Sequence, residues 1–200
     1  MTFNREVKNE LLELWQNKNC CKISEMLGLI LFSNDYSENK IGLVTDFEKQ
    51  ADVYIKLAKK CVNISPAKQK INKHFYVYFD EKDIPSIINN FNSDIAYSIF
   101  KCDNCKKAFL MGEFLASVII SIPEKEYRIE FISKSEDISC LVYRILYEYN
   151  LDPKMTIKNK KVSVYLKKSE DIEDLLTLMG AIKSSLNIMN MKIIKDLKNN

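Results

Sequence analysis

Glycine and proline are scarce in this sequence, with four of each among 200 residues. Collagen-like, low-complexity and disordered chains are rich in these two residues, so the composition argues against all three classes. The hydrophobic fraction is 46%, which is enough apolar material for a sizeable core. We therefore expect one or two compact globular domains.

Long apolar runs and a large charge excess are also missing. No run approaches the ~18 apolar residues of a membrane span, and the charged start MTFNREVKNELLELW does not resemble a signal peptide. The net charge of +3 permits nucleic-acid contact but does not argue for it. We expect a cytoplasmic protein that does not contact membranes and whose six cysteines are reduced.

Signatures of common enzyme sites are absent. His74 is the only histidine, and no nucleophile motif surrounds it, so a Ser-His-Asp site is not supported. We expect His74 on the surface or in a turn. Neither standard glycine-rich phosphate loop is present, and we expect no cofactor.

What the sequence does contain is an internal repeat. CKISEMLGLILFS (21–33) and CKKAFLMGEFLAS (105–117) share a leading Cys-Lys, a glycine seven residues after the cysteine and a final serine. Further matches follow in the same order: IGLVTDF with YRIEFIS, FYVYF with VSVYL, and DIPSII with DIEDLL. Matches that keep one order indicate two copies of one unit.

Each copy predicts the order α-β-(β)-α-β-β-α. YRIEFIS alternates, which is typical of a strand that buries Tyr127, Ile129 and Phe131. By the same alternation, four side chains of FYVYF and VSVYL should be exposed: Tyr76, Tyr78, Ser163 and Tyr165. The fold class is therefore α+β, with helices packed on one face of antiparallel sheets. A second strand should directly follow each repeated helix, although its partner strand cannot be assigned.

The repeats also predict the domain organisation. We expect an N-terminal helix within 1–19, repeat 1 over 20–100 and repeat 2 over 101–188. The polar segment 189–200 should begin a linker. Asn4 is the expected N-cap of the first helix, and Trp15 should pack on its apolar face.

The cysteines suggest a zinc site that we do not favour. Cys102-x-x-Cys105 could combine with Cys20 and Cys21, since structural zinc commonly takes four ligands from two close pairs. Adjacent cysteines at a helix start are, however, poor geometry for chelating one ion. We predict small buried thiols beside each repeated helix and no metal. Zinc binding and a redox role are the alternatives.

A short apolar helix with a central glycine, present twice and followed each time by an antiparallel sheet, resembles the LAGLIDADG homing endonucleases. The resemblance implies two helices packed side by side about a pseudo-twofold axis. It places three residues at their interface, namely Gly28, Gly112 and Ala116, with Phe32 replacing a small residue in the first copy. In that family an acidic residue at each helix end binds the catalytic metal, whereas this sequence has Ser33 and Ser117 there.

Further stretches narrow the resemblance to the WhiA family of bacterial sporulation and cell-division regulators. They are FNREVKNEL, the Cys-Cys pair, KAFLMGEFLAS, IPEKEYRIEFIS and MKIIKDLKNN. This resemblance implies a degenerate LAGLIDADG-like region followed by a DNA-binding helix-turn-helix domain. That domain would follow Asn200, so we expect this chain to lack it. The resemblance implies a nucleoid-associated transcription regulator that binds DNA mainly through the missing domain.

The serines argue against nuclease activity. Phosphodiester cleavage needs carboxylates that converge on metal ions, and a neutral hydroxyl is a poor ligand for Mg²⁺. We therefore predict no catalytic residues and no enzyme activity. Asp35 follows Ser33 closely, so a divergent metal-dependent homing endonuclease is one alternative. A protein-interaction module without DNA affinity is the other.

The sheets of homing endonucleases form a saddle over DNA, which suggests where this chain would contact phosphates. Six basic residues lie on the predicted exposed sheet faces or near strand ends: Lys40, Lys73, Arg128, Lys158, Lys160 and Lys161. Glu130 shares a face with Arg128, which weakens the prediction. Exposed aromatic residues are also enriched at protein interfaces, so a protein partner could occupy the same faces.

Overall fold

The computed structural model of the chain describes residues 2–33, 35–37, 40–92, 94–121, 127–133, 135–158 and 161–199. The helices are α1 (Phe3–Leu11), α2 (Asn19–Leu31), α3 (Glu48–Val62), α4 (Ile84–Asn90), α5 (Ala96–Ile99), α6 (Asp103–Ala116), α7 (Glu136–Glu148), α8 (Ser169–Met179) and α9 (Ile182–Asn199). The strands are β1 (Asp35–Ser37), β2 (Lys40–Thr45), β3 (Ala67–Ile71), β4 (His74–Tyr78), β5 (Ile119–Ser121), β6 (Arg128–Ser133), β7 (Lys154–Lys158) and β8 (Lys161–Leu166).

The element order confirms the predicted repeat. Helices α2 and α6 are each followed by two strands, a helix, two strands and another helix. The first sheet has the strand order β1-β2-β4-β3, the second has β5-β6-β8-β7, and every neighbouring pair is antiparallel. The expected strands after the repeated helices are β1 and β5, and their partners are β2 and β6. The α+β class is therefore confirmed.

Two compact units make up the chain. One consists of Trp15–Ser117 and contains the first sheet with both repeated helices, and the other consists of Met1–Leu14 with Val118–Asn200 and contains the second sheet. The boundary after Ser117 differs from the predicted boundary between repeats, at residues 100 and 101, because α6 packs along α2. The repeat is thus a unit of sequence, while the compact units follow side-chain packing.

Period-2 burial in the strands follows the sequence alternation. Phe75 and Val77 are buried in β4, as are Ile129 and Phe131 in β6, because those side chains face the helices α3 and α7 that pack on each sheet. The prediction for Ser163 is wrong. It lies on the open face but is buried, since its hydroxyl donates a hydrogen bond to the Glu130 carboxylate.

Three predictions about the chain ends are also corrected. The N-cap of α1 is Thr2, and Asn4 lies inside the helix, where its Oδ1 accepts a hydrogen bond from the Ile120 N–H at 3.3 Å. Helix α1 ends at Leu11, so Trp15 packs off the helix, with the Lys56 ammonium 4.0 Å from its ring centroid. The segment 189–200 was expected to begin a linker, but α9 continues to Asn199.

Candidate functional site

Helices α2 and α6 touch backbone to backbone at their glycines. A Cβ atom at Gly28 would overlap the Phe109 carbonyl oxygen and lie 2.8 Å from the Glu113 nitrogen. A Cβ atom at Gly112 would overlap the Glu25 carbonyl oxygen and lie 3.0 Å from the Leu29 nitrogen. The two sets of contacts are equivalent under the repeat, so the helix pair has local pseudo-twofold symmetry. Only glycine permits this approach, because any side chain would meet main-chain atoms.

Both helices are buried around most of their circumference. Residues 24–31 of α2 and 108–116 of α6 are all buried, as expected for helices that are apolar on every side. Ala116 lies in the last turn of α6 and Phe32 just beyond α2, and both are buried. The pair therefore forms the core of its unit and brings the ends of two distant segments together.

Two glutamates lie within this core. Glu25 is 1% and Glu113 0% exposed, and Glu25 Oε2 and both carboxylate oxygens of Glu113 have no hydrogen-bond partner among the described residues. Burial raises the pKa of Glu25 to about 8 and raises that of Glu113 well above its ordinary value. Glu25 is consequently mostly protonated at neutral pH, and burial favours the neutral form of Glu113 as well. Sequence reasoning missed both residues, because a glutamate in a helix is ordinarily expected on its exposed face.

The C-terminal ends of the pair carry Ser33 and Ser117, the serines that the resemblance to homing endonucleases places at the metal-ligand positions. Ser33 is buried, and its hydroxyl donates to the Gly42 carbonyl oxygen of β2. Ser117 is the C-cap residue of α6, and its Oγ is buried with no hydrogen-bond partner in the described part of the chain. The Ser33 hydroxyl is thus used in a hydrogen bond that joins the end of α2 to β2. The side chain of Asp35, the alternative ligand, lies outside the described residues.

The N-terminal ends of the pair bring four thiols together. This thiol cluster consists of Cys20, Cys21, Cys102 and Cys105, whose Sγ atoms all lie within 4.8 Å of one another. Cys102 is central, with its Sγ 3.7 Å from that of Cys20 and 3.6 Å from those of Cys21 and Cys105. The thiols of the adjacent Cys20 and Cys21 therefore do approach a common point, although adjacency was expected to be poor geometry for chelating one ion. The signal was present in the sequence, because Cys21 and Cys105 begin two helices that the repeat pairs.

The open face of the first sheet holds a shallow groove of about 310 Å³. Its lining comes from three strands and is mostly aromatic and aliphatic: Lys40, Leu43, Val44, Gln69, Ile71, Tyr76, Val77 and Tyr78. Tyr76 and Tyr78 are half-buried, as their alternation with Phe75 and Val77 requires. Among the described residues of this lining, Lys40 is the one that carries a charge.

The open face of the second sheet is polar and carries more charge. The Arg128 guanidinium contacts the Glu130 carboxylate at 3.1 Å and lies 3.8 Å from the Tyr165 ring centroid. The hydrogen bond from Arg128, together with that from Ser163, holds the pKa of Glu130 below its ordinary value although burial opposes this. Strand register adds Lys154, Thr156 and Lys158 of β7 to the same face. The positive charge of Arg128 is therefore compensated within the protein.

The basic candidates for DNA contact are divided between the two sheets. Lys40 begins β2 and Lys73 lies in the turn between β3 and β4, whereas Lys158 and Lys161 pair at the β7–β8 turn, and all four are exposed. Lys160 lies outside the described residues. Sequence reasoning missed Lys154 and Gln69, both of which the period-2 alternation of their strands could have placed on the open faces.

Comparisons with known proteins agree with this geometry. The protein-family model described as the WhiA LAGLIDADG-like domain matches residues 106–198 of this sequence. A protein of Clostridium botulinum strain Hall named probable cell division protein WhiA is 30% identical over all of this chain and 71% of its own length. This chain belongs to the WhiA family. A second WhiA, from Ruminiclostridium cellulolyticum, is 29% identical over all of this chain and 70% of its own length.

Solved structures show that WhiA and homing endonucleases share this fold. Full-length WhiA from Thermotoga maritima superposes with a TM-score of 0.71 at 18% identity, covering 96% of this chain and 67% of that one. The N-terminal LAGLIDADG domain of WhiA gives a TM-score of 0.70 at 21% identity, covering 90% and 92%. The homing endonuclease I-DmoI, solved with DNA and Mn, gives 0.56 at 15% identity, covering 82% and 98%. The LAGLIDADG-like fold predicted from the repeated helix is thus confirmed. None of the helices in the described ranges is both long and apolar enough to cross a bilayer.

Proposed function

We propose that this chain is the LAGLIDADG-like part of a DNA-binding transcription regulator of cell division or sporulation, and that it contacts DNA without cleaving it. The observation that carries the proposal is the pair of serines at the ends of α2 and α6, within a fold shared with a DNA-bound endonuclease. The helix pair and the open sheets are retained, while the acidic positions are not. The regulator would act in the cytoplasm, at the nucleoid.

Weak, sequence-tolerant DNA binding is what the open faces support. The exposed lysines lie near strand ends, where they can reach phosphates, whereas Arg128 is occupied by Glu130 and Tyr165. Phosphate contacts by lysine supply affinity but little sequence discrimination. We expect a dissociation constant of ~10⁻⁴ to 10⁻⁶ M at physiological salt, as for non-specific binding generally.

A binding titration tests this part of the proposal. The chain is titrated into a fluorescent duplex at several salt concentrations, and anisotropy reports binding. The double variant Lys158→Glu/Lys161→Glu should bind more weakly and lower the salt slope by up to ~2, since each phosphate contact contributes about 0.9. Lys59→Glu/Lys60→Glu on α3 makes the same charge change at exposed positions and should have a smaller effect. Equal losses in both variants would show that net charge alone drives binding, and nanomolar sequence-selective binding would also contradict the proposal.

A cleavage assay tests the other part. Supercoiled plasmid is incubated with the chain and Mg²⁺ or Mn²⁺, and the plasmid should remain supercoiled. Ser33 cannot replace a carboxylate as a metal ligand, because its hydroxyl is neutral and already donates to Gly42. Nicking that disappears in Asp35→Ala would instead establish a divergent nuclease.

Protein binding is a second candidate function, and helix α9 favours it. Six large apolar side chains recur on this helix at intervals of one to four residues and are exposed: Ile182, Leu186, Met189, Ile193, Ile194 and Leu197. An exposed apolar stripe of this kind fits the apolar face of another helix. Sedimentation velocity shows whether a second copy of the chain covers it, in which case Leu186→Glu should shift a dimer to a monomer. A chain that is monomeric at all concentrations would exclude self-association as the use of the stripe.

A further inference from the structure

The thiol cluster at the N-terminal ends of α2 and α6 is a site that the DNA-binding role does not use. In the described part of the chain it is the one group of three or more Cys, His, Asp or Glu side chains close enough to share a metal ion. Two of its members, Cys21 and Cys105, are buried, and the other two are half-buried. We propose that the thiol cluster binds one Zn²⁺ ion as a closed tetrathiolate site.

The distances within the cluster match a zinc tetrahedron. Zn–S bonds are about 2.3 Å long, so the sulfur atoms of a tetrahedral site lie about 3.8 Å apart. The three sulfur–sulfur distances from Cys102 are 3.6 to 3.7 Å, and the remaining ones are at most 4.8 Å. An ion at the centre therefore needs only small side-chain adjustments.

The donor atoms select the metal. All four are sulfur, and thiolates favour zinc over Mg²⁺ or Ca²⁺, which take oxygen ligands. A closed set of four protein ligands leaves no position for water or substrate, which is the pattern of structural rather than catalytic zinc. The site is thus chemically distinct from the metal positions of the homing endonucleases at the opposite ends of the same helices.

The local backbone explains how adjacent cysteines can share an ion. Cys20 and Cys21 lie in the first turn of α2, and Cys102 is the N-cap residue of α6. Successive helical side chains point about 100° apart, but the Cys102 sulfur approaches both of them. An ion beside the Cys102 sulfur would therefore lie between the thiols of Cys20 and Cys21. The two side chains need not point in the same direction from α2 to reach it.

The surroundings can offset the negative charge of metal-bound thiolates. Helix N-termini stabilise negative charge, and the cluster lies at two of them. The Asn104 backbone N–H also hydrogen-bonds to the Cys102 sulfur, a supporting contact of the kind that orients metal ligands. Lysines flank the cysteines in sequence at positions 22, 101 and 106, and they can offset the double negative charge of a zinc tetrathiolate.

The ion would join the starts of the two helices whose middles meet at Gly28 and Gly112. Phe100 packs against the same cluster and stacks edge-on with Phe109 of α6. Zinc would accordingly link the segment before α6 to α2 and stabilise the helix pair. Metal binding and folding of this unit should then be coupled.

Zinc content and cobalt spectroscopy on the full chain test the proposal. Protein purified in reducing buffer should contain roughly one zinc per chain by mass spectrometry, as one closed site requires. Replacing the zinc with Co²⁺ should give thiolate charge-transfer bands and the visible bands of tetrahedral cobalt. Cys102→Ser should lower zinc content at least ~10-fold. Changing groups that merely support metal ligands already lowers metal affinity by about that factor. Cys61→Ser and Cys140→Ser, which alter half-buried thiols outside the cluster, should leave zinc content unchanged.

A chelator experiment on the unmodified chain covers the case in which Cys102→Ser does not fold. Removing zinc should lower the melting temperature, and adding it back should restore both the temperature and the cobalt signal. Wild-type protein that contains no zinc and does not bind added Zn²⁺ or Co²⁺ would overturn the proposal. A six-coordinate cobalt spectrum, zinc loss in the two control variants, or a disulfide within the cluster in reducing buffer would each overturn it as well.

Discussion

The two sheets share one topology and have different open faces. Their strand orders correspond strand for strand, and both bury alternate apolar residues against helices. On the open side, the first sheet carries a groove whose described lining is mostly aromatic and aliphatic and includes one charged residue, Lys40. The second carries the Arg128–Glu130 ion pair and a row of lysines. The buried side is constrained by close packing, whereas the open side is free to diverge.

Equivalent positions show how the difference arises. Tyr76 of β4 corresponds to Ser163 of β8 in the repeat. Tyr76 lines the groove, while Ser163 is buried because it donates to Glu130. The Ser163 side chain is small enough to lie beneath the Glu130 carboxylate, so the second sheet has a polar network at this position. The first sheet has the aromatic ring of Tyr76 there. The repeats have therefore kept their architecture and changed the chemistry that they present.

In the helix pair, equivalent positions of the two repeats should still make equivalent contacts. Replacing the glycine of each helix tests this. Gly28→Leu and Gly112→Leu should each destabilise the chain by about 3 kcal/mol or more, at the upper end of overpacking effects, because the new side chain meets backbone atoms. Thermal unfolding should show melting temperatures lower by roughly 6–12 °C. Lys59→Leu, at an exposed helical position, is the control and should be nearly neutral.

An unchanged or raised melting temperature in either glycine variant would break the equivalence. A glycine on an exposed helix would give that result, since replacing it improves helix propensity. Glu113→Ala cannot serve as a neutral control, although its position beside Gly112 suggests an outward side chain, because Glu113 is fully buried.

The buried glutamates are the next test, because Glu25 and Glu113 do not occupy equivalent repeat positions. The folded chain keeps the Glu25 proton up to pH 8, while the unfolded chain releases it near 4.5. The contribution of this group to stability is therefore complete below pH 4.5 and is lost as the pH rises toward 8. Between pH 6 and 7 the unfolding free energy should fall by up to about 1.4 kcal/mol through Glu25.

Denaturant titrations of Glu25→Gln across this pH range check the sign. The variant should show a shallower pH dependence than the wild type and should be relatively more stable at pH 8. Glu81→Gln alters an exposed glutamate and should leave the slope unchanged. A wild-type stability that rises from pH 6 to 7, with no difference in Glu25→Gln, would show that the Glu25 carboxyl is ionised in the fold.

The polar network of the second sheet should respond to acid in the opposite direction. Because the pKa of Glu130 is lowered in the fold, its contribution is present above its ordinary pKa and is lost as the pH falls through the folded value. Ser163→Ala removes one hydrogen bond and should cost about 1 kcal/mol at neutral pH. In Glu130→Gln the acid-dependent loss should shrink, as measured by unfolding at pH 7 and pH 3. An undiminished loss in that variant would assign the acid sensitivity to other carboxylates.

The smallest effect is expected in DNA affinity, where the two open faces can be compared directly. Lys158→Glu/Lys161→Glu on the second sheet should lower affinity more than Lys40→Glu/Lys73→Glu on the first, because β7 supplies a further lysine, Lys154, to the same face. The change in net charge is identical, so a difference reports position. Anisotropy titrations at low salt, where phosphate contacts contribute most, give the clearest measurement. The opposite ranking would assign DNA contact mainly to the aromatic groove.

Much of the architecture could be predicted from the repeat. Helices α3 and α7 are each followed by an asparagine in left-handed conformation, Asn63 and Asn150, and then by a proline, Pro66 and Pro153, which are ordinary signals of a helix end. Strand alternation assigned the buried faces correctly apart from Ser163, which is buried, and Tyr127, which is only half-buried and lies just before β6. The errors share one cause. The burial of Glu113, the off-helix packing of Trp15 and the convergence of the thiols each depend on what a neighbouring element places opposite that side chain.

The order of elements, the doubling of the unit and most of the buried strand faces can be read from the amino-acid sequence. Those properties follow from local periodicity and from residues with special backbone preferences, such as glycine and proline. The burial of two glutamates, the hydrogen bond from Ser33 to the Gly42 carbonyl and the meeting of four cysteines from two distant segments follow from the packing of the folded chain. These features depend on the close approach of α2 and α6, which Gly28 and Gly112 permit. A local sequence pattern contains no information about which side chains of one helix lie opposite those of the other.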